Sequence, residues 1–318
     1  MFVFTPSLPS AFSARFGTRL PLSLARAFAA MVWGGFYIFN VRHLRSTIFP
    51  CVRAATGQGA AGSYLVGLGG AIAFGRYLSD FAFFLYRPAS VIARRVRHKT
   101  GFRHTANLTD ALKDGKGAIL VLSNFSSFYY TLTAPRENIL PDNREVVIVQ
   151  PSYSVSSEES KRFRQKISGV IGRDLQIIES GTLRAGIEMT AALKRGAIVG
   201  CLVDFFPPNA TSLAMTEFLG HPSCQPTGIG AIAAKNNVAV VPCFTYFEEG
   251  KYITEFAPAI VAPADGDMPD KVLSLCTRID ASLSAAIMAR PAQWASWISV
   301  PHKWQTASAM LAQMEEQE

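Results

Sequence analysis

The chain has 318 residues, 49% hydrophobic and 17% charged, with 31 Lys and Arg against 23 Asp and Glu for a formal net charge of +8. Ordinary globular domains carry about 25% charged residues, so this composition excludes a disordered chain and leans toward a protein that meets lipid. The positive balance favours an anionic partner such as a phospholipid headgroup or a phosphorylated carrier; no nucleic acid is expected, because the basic runs have no interleaved aromatic platform and match no binding motif.

Residues 1–25 show no small-residue cleavage pattern behind a signal-type core, so no cleaved signal is expected. Ala27 to Phe39 is apolar apart from glycine, yet shorter than the roughly 20 residues that span a bilayer. Extending it back to Leu20 takes in Pro21 and Arg26, which favours an interfacial anchor over a tilted span; a buried core helix is the third option. Basic residues follow the apolar stretches, Arg42, His43, Arg45 and Arg53 first, then a run from Arg87 through Arg94, Arg95, Arg97, His98 and Lys99 to Arg103, which is a juxtamembrane pattern. In 61–86, Arg76 and Asp80 are spaced i, i+4 behind a run of glycines, which argues against a second lipid span and for helices packed on the domain or the membrane.

From about residue 117 short apolar runs alternate with helical patterns, the signature of a sheet with crossover helices. Strands are expected at 117–123, 145–150, 175–179, 197–204, 239–244 and 252–256, and their near-continuous apolarity fits burial on both faces. Helices are expected at 105–114, 155–172, 181–195, 226–236 and 269–289, with 257–269 a loop inside the domain. The reading is therefore α/β: a membrane-associated helical region over 1–100 packing on an α/β domain over 101–318. Five cysteines, odd in number and without a CxxC pair, suggest neither a disulfide framework nor a metal site, and read as reduced core residues.

Several short motifs follow one another in order. Asp204 ends a strand, ahead of Phe205-Phe206-Pro207-Pro208; Phe218-Leu219-Gly220 makes a turn; Thr227-Gly228 opens a helix; Val241-Pro242 lies in a strand; and Pro291-Ala292-Gln293-Trp294 lies near the C-terminus. In this order, from residue 40 to 304, the chain resembles the bacterial lipid A biosynthesis (lauroyl/myristoyl) acyltransferases of the lysophospholipid acyltransferase superfamily. The resemblance implies a glycerolipid acyltransferase-like mixed sheet flanked by helices. It also implies transfer of an acyl chain from an acyl carrier protein or coenzyme A thioester to a lipid or other amphiphilic acceptor, with no further cofactor. The implied setting is the cytoplasmic face of a bacterial inner membrane, held peripherally or by a single N-terminal anchor, with membrane lipid and an acyl carrier protein as partners.

At the catalytic position the pattern breaks. Where that family reads His-Phe-Gly-Asn-Trp-Glu, this chain reads Asn124-Phe125-Ser126-Ser127-Phe128-Tyr129. The family's chemistry needs an imidazole to accept the proton of an attacking hydroxyl and a carboxylate to orient it. Asn124 does not accept that proton at physiological pH and Tyr129 carries no charge there. By resemblance Asp204 lines the cleft, against a turn-capping role, and His221 is the best substitute base, against an exposed turn histidine. Phe125, Ser126, Ser127, Phe128, Phe218, Gly220 and Thr227 are the substrate-binding candidates; the two serines offer a nucleophile or, more simply, loop hydrogen bonds. After the Val-Pro strand the family often has an arginine suited to phosphate, where this chain has Phe247, Glu248 and Glu249. Trp294, Trp297 and Trp304, with His302 and Lys303, read equally as an interfacial belt or as core. Two functions follow: an acyltransferase of altered mechanism, or a catalytically inactive lipid-binding pseudoenzyme acting as a partner subunit.

Overall fold

A computed structural model describes residues 20–125, 127–134, 144–151, 158–172, 175–180, 182–204, 210 and 212–316. Ser126 and Phe205 to Pro208 lie outside them. The chain opens with α1 (Leu22–Ile38), a 3-10 turn at Val41–His43, α2 (Leu44–Thr56), α3 (Ala60–Tyr86) and α4 (Ala89–Lys99). There follow β1 (Thr100–Arg103), α5 (Thr105–Ala111), β2 (Ala118–Leu122), α6 (Tyr129–Thr133), β3 (Val146–Pro151), α7 (Glu158–Ile171), β4 (Gln176–Ser180), α8 (Leu183–Lys194) and β5 (Ile198–Leu202). The hairpin β6 (Leu213–Phe218) and β7 (His221–Pro226) leads to α9 (Gly228–Asn236), β8 (Val240–Glu248), β9 (Lys251–Phe256), α10 (Met268–Ala289), 3-10 turns at Pro291–Gln293 and Ser296–Ser299, and α11 (Val300–Glu315).

Seven strands form one mixed sheet in the order β1-β9-β8-β2-β5-β3-β4, in which only the β8–β9 pair is antiparallel. The expected α/β class with a mixed sheet flanked by helices is what forms. All six expected strands are present; β2 and β5 are buried on both faces, as Val- and Ile-rich interior strands are, while β4 forms a partly exposed edge. β2 shows the arrangement: Ile119 and Val121 enter one core with Val199, Leu283 and Trp294, while Ala118, Leu120 and Leu122 enter the other with Phe84, Ile92 and Ile167. Side chains alternate across a strand, so the sheet separates two apolar layers, each roofed by helices.

The N-terminal helices share both cores: Tyr37, Ile48 and Val52 pack with the first and Leu22, Phe83 and Phe84 with the second. Of the glycines in 57–70, Gly67, Gly69 and Gly70 serve close approach. A Cβ on Gly70 would lie 2.7 Å from the Trp297 ring, so only glycine lets α3 sit against the C-terminal segment. Asp80 does not pair along its own helix with Arg76, which is exposed, but across to Arg26 of α1 at 2.9 Å.

Three elements depart from the sequence expectation. β1 and the β6–β7 hairpin were not foreseen, and of the two readings of the C-terminal segment the core one holds for Trp294 and Trp297, which are buried, and for Lys303, at 1% exposure, while Trp304 is half-buried. All five cysteines are free and buried, as expected. By length and composition α10 would cross a membrane, but Leu275, Ile279, Asp280, Leu283 and Ile287 face the interior, which makes it a core helix. The 17 residues of α1 reach about 26 Å, short of a roughly 30 Å hydrocarbon layer. With α2, to which it is bent by 95°, it forms one apolar pair.

Candidate functional site

β2 lies at the middle of the sheet, between β8 and β5. Its pairing with β5 sets Leu122 opposite Leu202, so the residues two further along each parallel strand, Asn124 and Asp204, come side by side by register. They meet at the carboxyl edge, where open α/β sheets place their ligands.

Asp204 is buried, and its carboxylate collects three N–H donors. Oδ2 accepts the Asn124 backbone N–H at 2.6 Å and the Trp294 indole N–H at 2.9 Å, while Oδ1 accepts Asn124 Nδ2 at 3.0 Å. Asn124 Nδ2 also donates to Ser296 Oγ at 3.0 Å, and the Asn124 carbonyl accepts from the Ala295 backbone at 3.0 Å. Burial pushes the Asp204 carboxyl above its usual range; the Asn124 and Trp294 donors, the Lys303 charge and Ser296 oppose that push. An ionised carboxylate only accepts, so the Asn124 NH2 must face it and the amide oxygen is left over. That Oδ1 is buried and has no partner among the described residues, and the same holds for the hydroxyls of Ser123 and Ser127. An amide held this way donates, but has no basic lone pair for a proton.

Tyr129 opens α6, and its hydroxyl lies 2.8 Å from that of Tyr77 on α3. Rings of Tyr77, Phe81, Phe84, Phe128 and Phe163 surround it. Burial pushes the Tyr129 phenol well above its usual value and that of Tyr77 up to about 12, so neither carries charge at neutral pH. Tyr129, where the resemblance leads one to expect a carboxylate, therefore presents a neutral hydroxyl.

The β6–β7 hairpin covers this edge from outside the sheet. Its Leu219-Gly220 turn has positive φ at both residues, 55° and 75°, a geometry glycine accepts and leucine adopts here with its N–H held by Ser284 Oγ. Phe218 lies edge-on to Trp294, and His221 packs on Trp304 with ring centres 4.3 Å apart. No hydrogen bond joins His221 to Asn124 or Asp204 among the described residues. Thr227 sits at the opposite end of β7, roughly 20 Å of strand from His221, and bonds Ser212. Phe125 is buried, bridged to Trp294 and edge-on to Phe244. The structure thus brings Asn124, Asp204 and Phe125 together around Trp294, and leaves His221 and Thr227 on the hairpin. Phe247 bonds the Gln293 side chain through both its N–H and its carbonyl, and Glu248 pairs with Arg103.

Residues 179–305 match the model of the bacterial lipid A biosynthesis acyltransferase family. Over that span the chain is similar to that family, in line with the resemblance its motifs carry. No curated protein matches it. The matched span starts in β4 and carries Asp204, the hairpin, α10 and Trp294, so it frames one side of the site, while Asn124 and Tyr129 precede it.

Sequence reasoning missed several members of the site. Trp294 was read for its motif and not as the donor to Asp204; Ser296 and Tyr77 had no motif at all. Lys303 forms a buried ion pair with Asp280 at 3.6 Å, donates to Gln225 at 3.1 Å and lies 4.5 Å from the Phe218 ring. Beside the site, Trp33, Ile48, Gly70, Phe74, Ala295 and Ile298 line a narrow apolar recess with room for about one water molecule. Ala295 belongs to both recess and site, since its N–H holds the Asn124 carbonyl. Among the described residues no cluster of His, Cys, Asp and Glu is suited to a metal ion.

Proposed function

We propose that this chain is a membrane-surface protein that binds an acyl lipid within an acyltransferase-family domain, performs no base-assisted transfer, and acts as a partner subunit. The carrying observation is the Asn124 amide, fixed on Asp204 and Ser296 at the end of the central strand, where the family's chemistry needs a proton acceptor. Two observations support the membrane setting. Leu24, Phe28, Met31 and Phe39 on and just after α1 are exposed, Met31 by 66% and Phe39 by 80%, an apolar face unusual on a water-facing helix. Exposed Arg42, His43 and Arg53 follow it, suited to anionic headgroups on a cytoplasmic leaflet.

A second reading keeps transfer alive. Ser127 Oγ is buried and unpartnered among the described residues, which leaves it to donate to a developing oxyanion, and an amine or thiol acceptor needs little help from a base. The donor is then an acyl carrier protein or coenzyme A thioester. Purified protein is mixed with anionic and zwitterionic vesicles, then given lauroyl thioesters with hydroxyl, amine and thiol acceptors. The binding reading expects flotation with anionic vesicles and no thiol release above buffer. Release with the amine acceptor alone selects the second reading, and release with hydroxyl acceptors rejects the first.

A further inference from the structure

We infer that the turn after β2 receives the head of a neutral amphiphile carrying a hydroxyl or amide N–H, and discriminates against an anionic head on a chain of the same length; this rests on the acyl-binding reading above.

The turn holds an unusual concentration of unmet hydrogen-bonding capacity. Among the described residues, Ser123 Oγ, Asn124 Oδ1 and Ser127 Oγ are all buried without a partner, within five residues of one another. Ser127 is 0% and Ser123 1% exposed, so solvent does not serve them. Native proteins satisfy the great majority of such groups, and a local cluster of exceptions calls for a missing partner. The chemistry of that partner is constrained. Asn124 Oδ1 is acceptor-only, and its orientation is imposed by the Asp204 carboxylate on the other side of the amide, so the ligand must bring a donor. Each serine hydroxyl donates once and accepts, which suits a second hydroxyl or an amide carbonyl on the same head.

Charge points the same way. Asp204 touches Asn124 directly, and the one buried cation that bears on it, Lys303, is shared with Asp280. Two carboxylates against one ammonium make a poor setting for a phosphate or fatty carboxylate. Ala295, bonded to Asn124, also lines the narrow apolar recess between α1, α2 and α3, which a tail leaving the turn on that side would have to widen.

Three probes with one chain length test this on the delipidated full chain at 150 mM salt: monolauroylglycerol, which brings hydroxyls; methyl laurate, which has no donor; and dodecyl phosphate, which is anionic. Calorimetric titration is expected to show monolauroylglycerol binding at least tenfold more tightly than either of the others. Ser127→Ala supplies the decisive signature. Its hydroxyl has no partner in the free protein, so removing it raises Tm by about 2 °C while weakening monolauroylglycerol several-fold and leaving methyl laurate unchanged. Dodecyl phosphate binding as well as monolauroylglycerol overturns the inference. So does a Ser127→Ala protein with unaltered preference, which would mean the orphaned groups hold only water. If none of the three probes binds, the acyl-binding reading itself falls with it.

Discussion

Asp80 and Asp204 are each 1% exposed, and burial pushes both carboxyls upward, yet the polar clusters around them are finished differently. Around Asp80 every head is met. Arg26 Nε donates at 2.9 Å, the Tyr252 hydroxyl donates at 2.7 Å, and the Tyr130 hydroxyl takes bonds from Arg26 and Arg95 while its ring stacks 3.9 Å from that of Tyr252. That closed cluster fastens α1, α3, α4, α6 and β9 together. Around Asp204 the carboxylate is met by neutral donors, and three polar atoms of the adjoining turn are left open. A closed network of buried charge holds a structure; an open one on a central strand end waits for a ligand.

The comparison breaks first at Asp80. Asp80→Ala strands the part-buried Arg26 guanidinium and the Tyr252 hydroxyl, and is expected to cost about 3–5 kcal/mol by denaturant unfolding, with α1 released first in hydrogen exchange. The Asp280–Lys303 pair gives the next effect. Lys303→Met leaves a buried carboxylate with Thr216 as its remaining donor and is expected to cost about 2–4 kcal/mol. Adding Asp280→Leu should recover most of that, as a double-mutant cycle would measure.

Asp204 tests the open cluster by pH. Its carboxyl in the folded chain lies above the usual 3.8, so the stability it contributes is complete below that value and is lost as pH rises through the folded-state value. Asp204→Asn should therefore flatten the decline of Tm with rising pH, and a variant that keeps the wild-type slope would assign that slope to Asp80 or Asp280. The smallest effect belongs to Tyr129→Phe, which removes one hydroxyl bond to Tyr77. It is expected to cost about 0.5–1.5 kcal/mol and to leave lipid binding unchanged.

Much of this was legible in the sequence because the central strands are continuous apolar runs, and because the departure at Asn124 stands at the end of one of them. The hairpin was not legible. Its strands, LAMTEF and HPSCQP, carry two prolines and no clear alternation, and they hold through contacts the sequence does not display, such as Thr216 to Asp280 and Gln225 to Lys303. Helical spacing suggested Arg76 for Asp80; the actual partner lies 54 residues away, beyond the reach of any local pattern. Tryptophans near a chain end suit headgroups and cores equally, and only the tertiary contacts of Trp294 with Asp204 and of Trp297 with Pro291 decide for the core.

The central claim is that the strand end lacks a proton acceptor, although a buried carboxylate, that of Asp204, stands beside it. Asn124→His would set an imidazole against Asp204, and thiol release from lauroyl thioester with a hydroxyl acceptor, followed from pH 6 to 9, reads the consequence. The account predicts background release from the wild-type protein at every pH, and a gain of at least tenfold in the variant with an inflection near the histidine range. Release by the wild-type protein that the variant does not increase would contradict it.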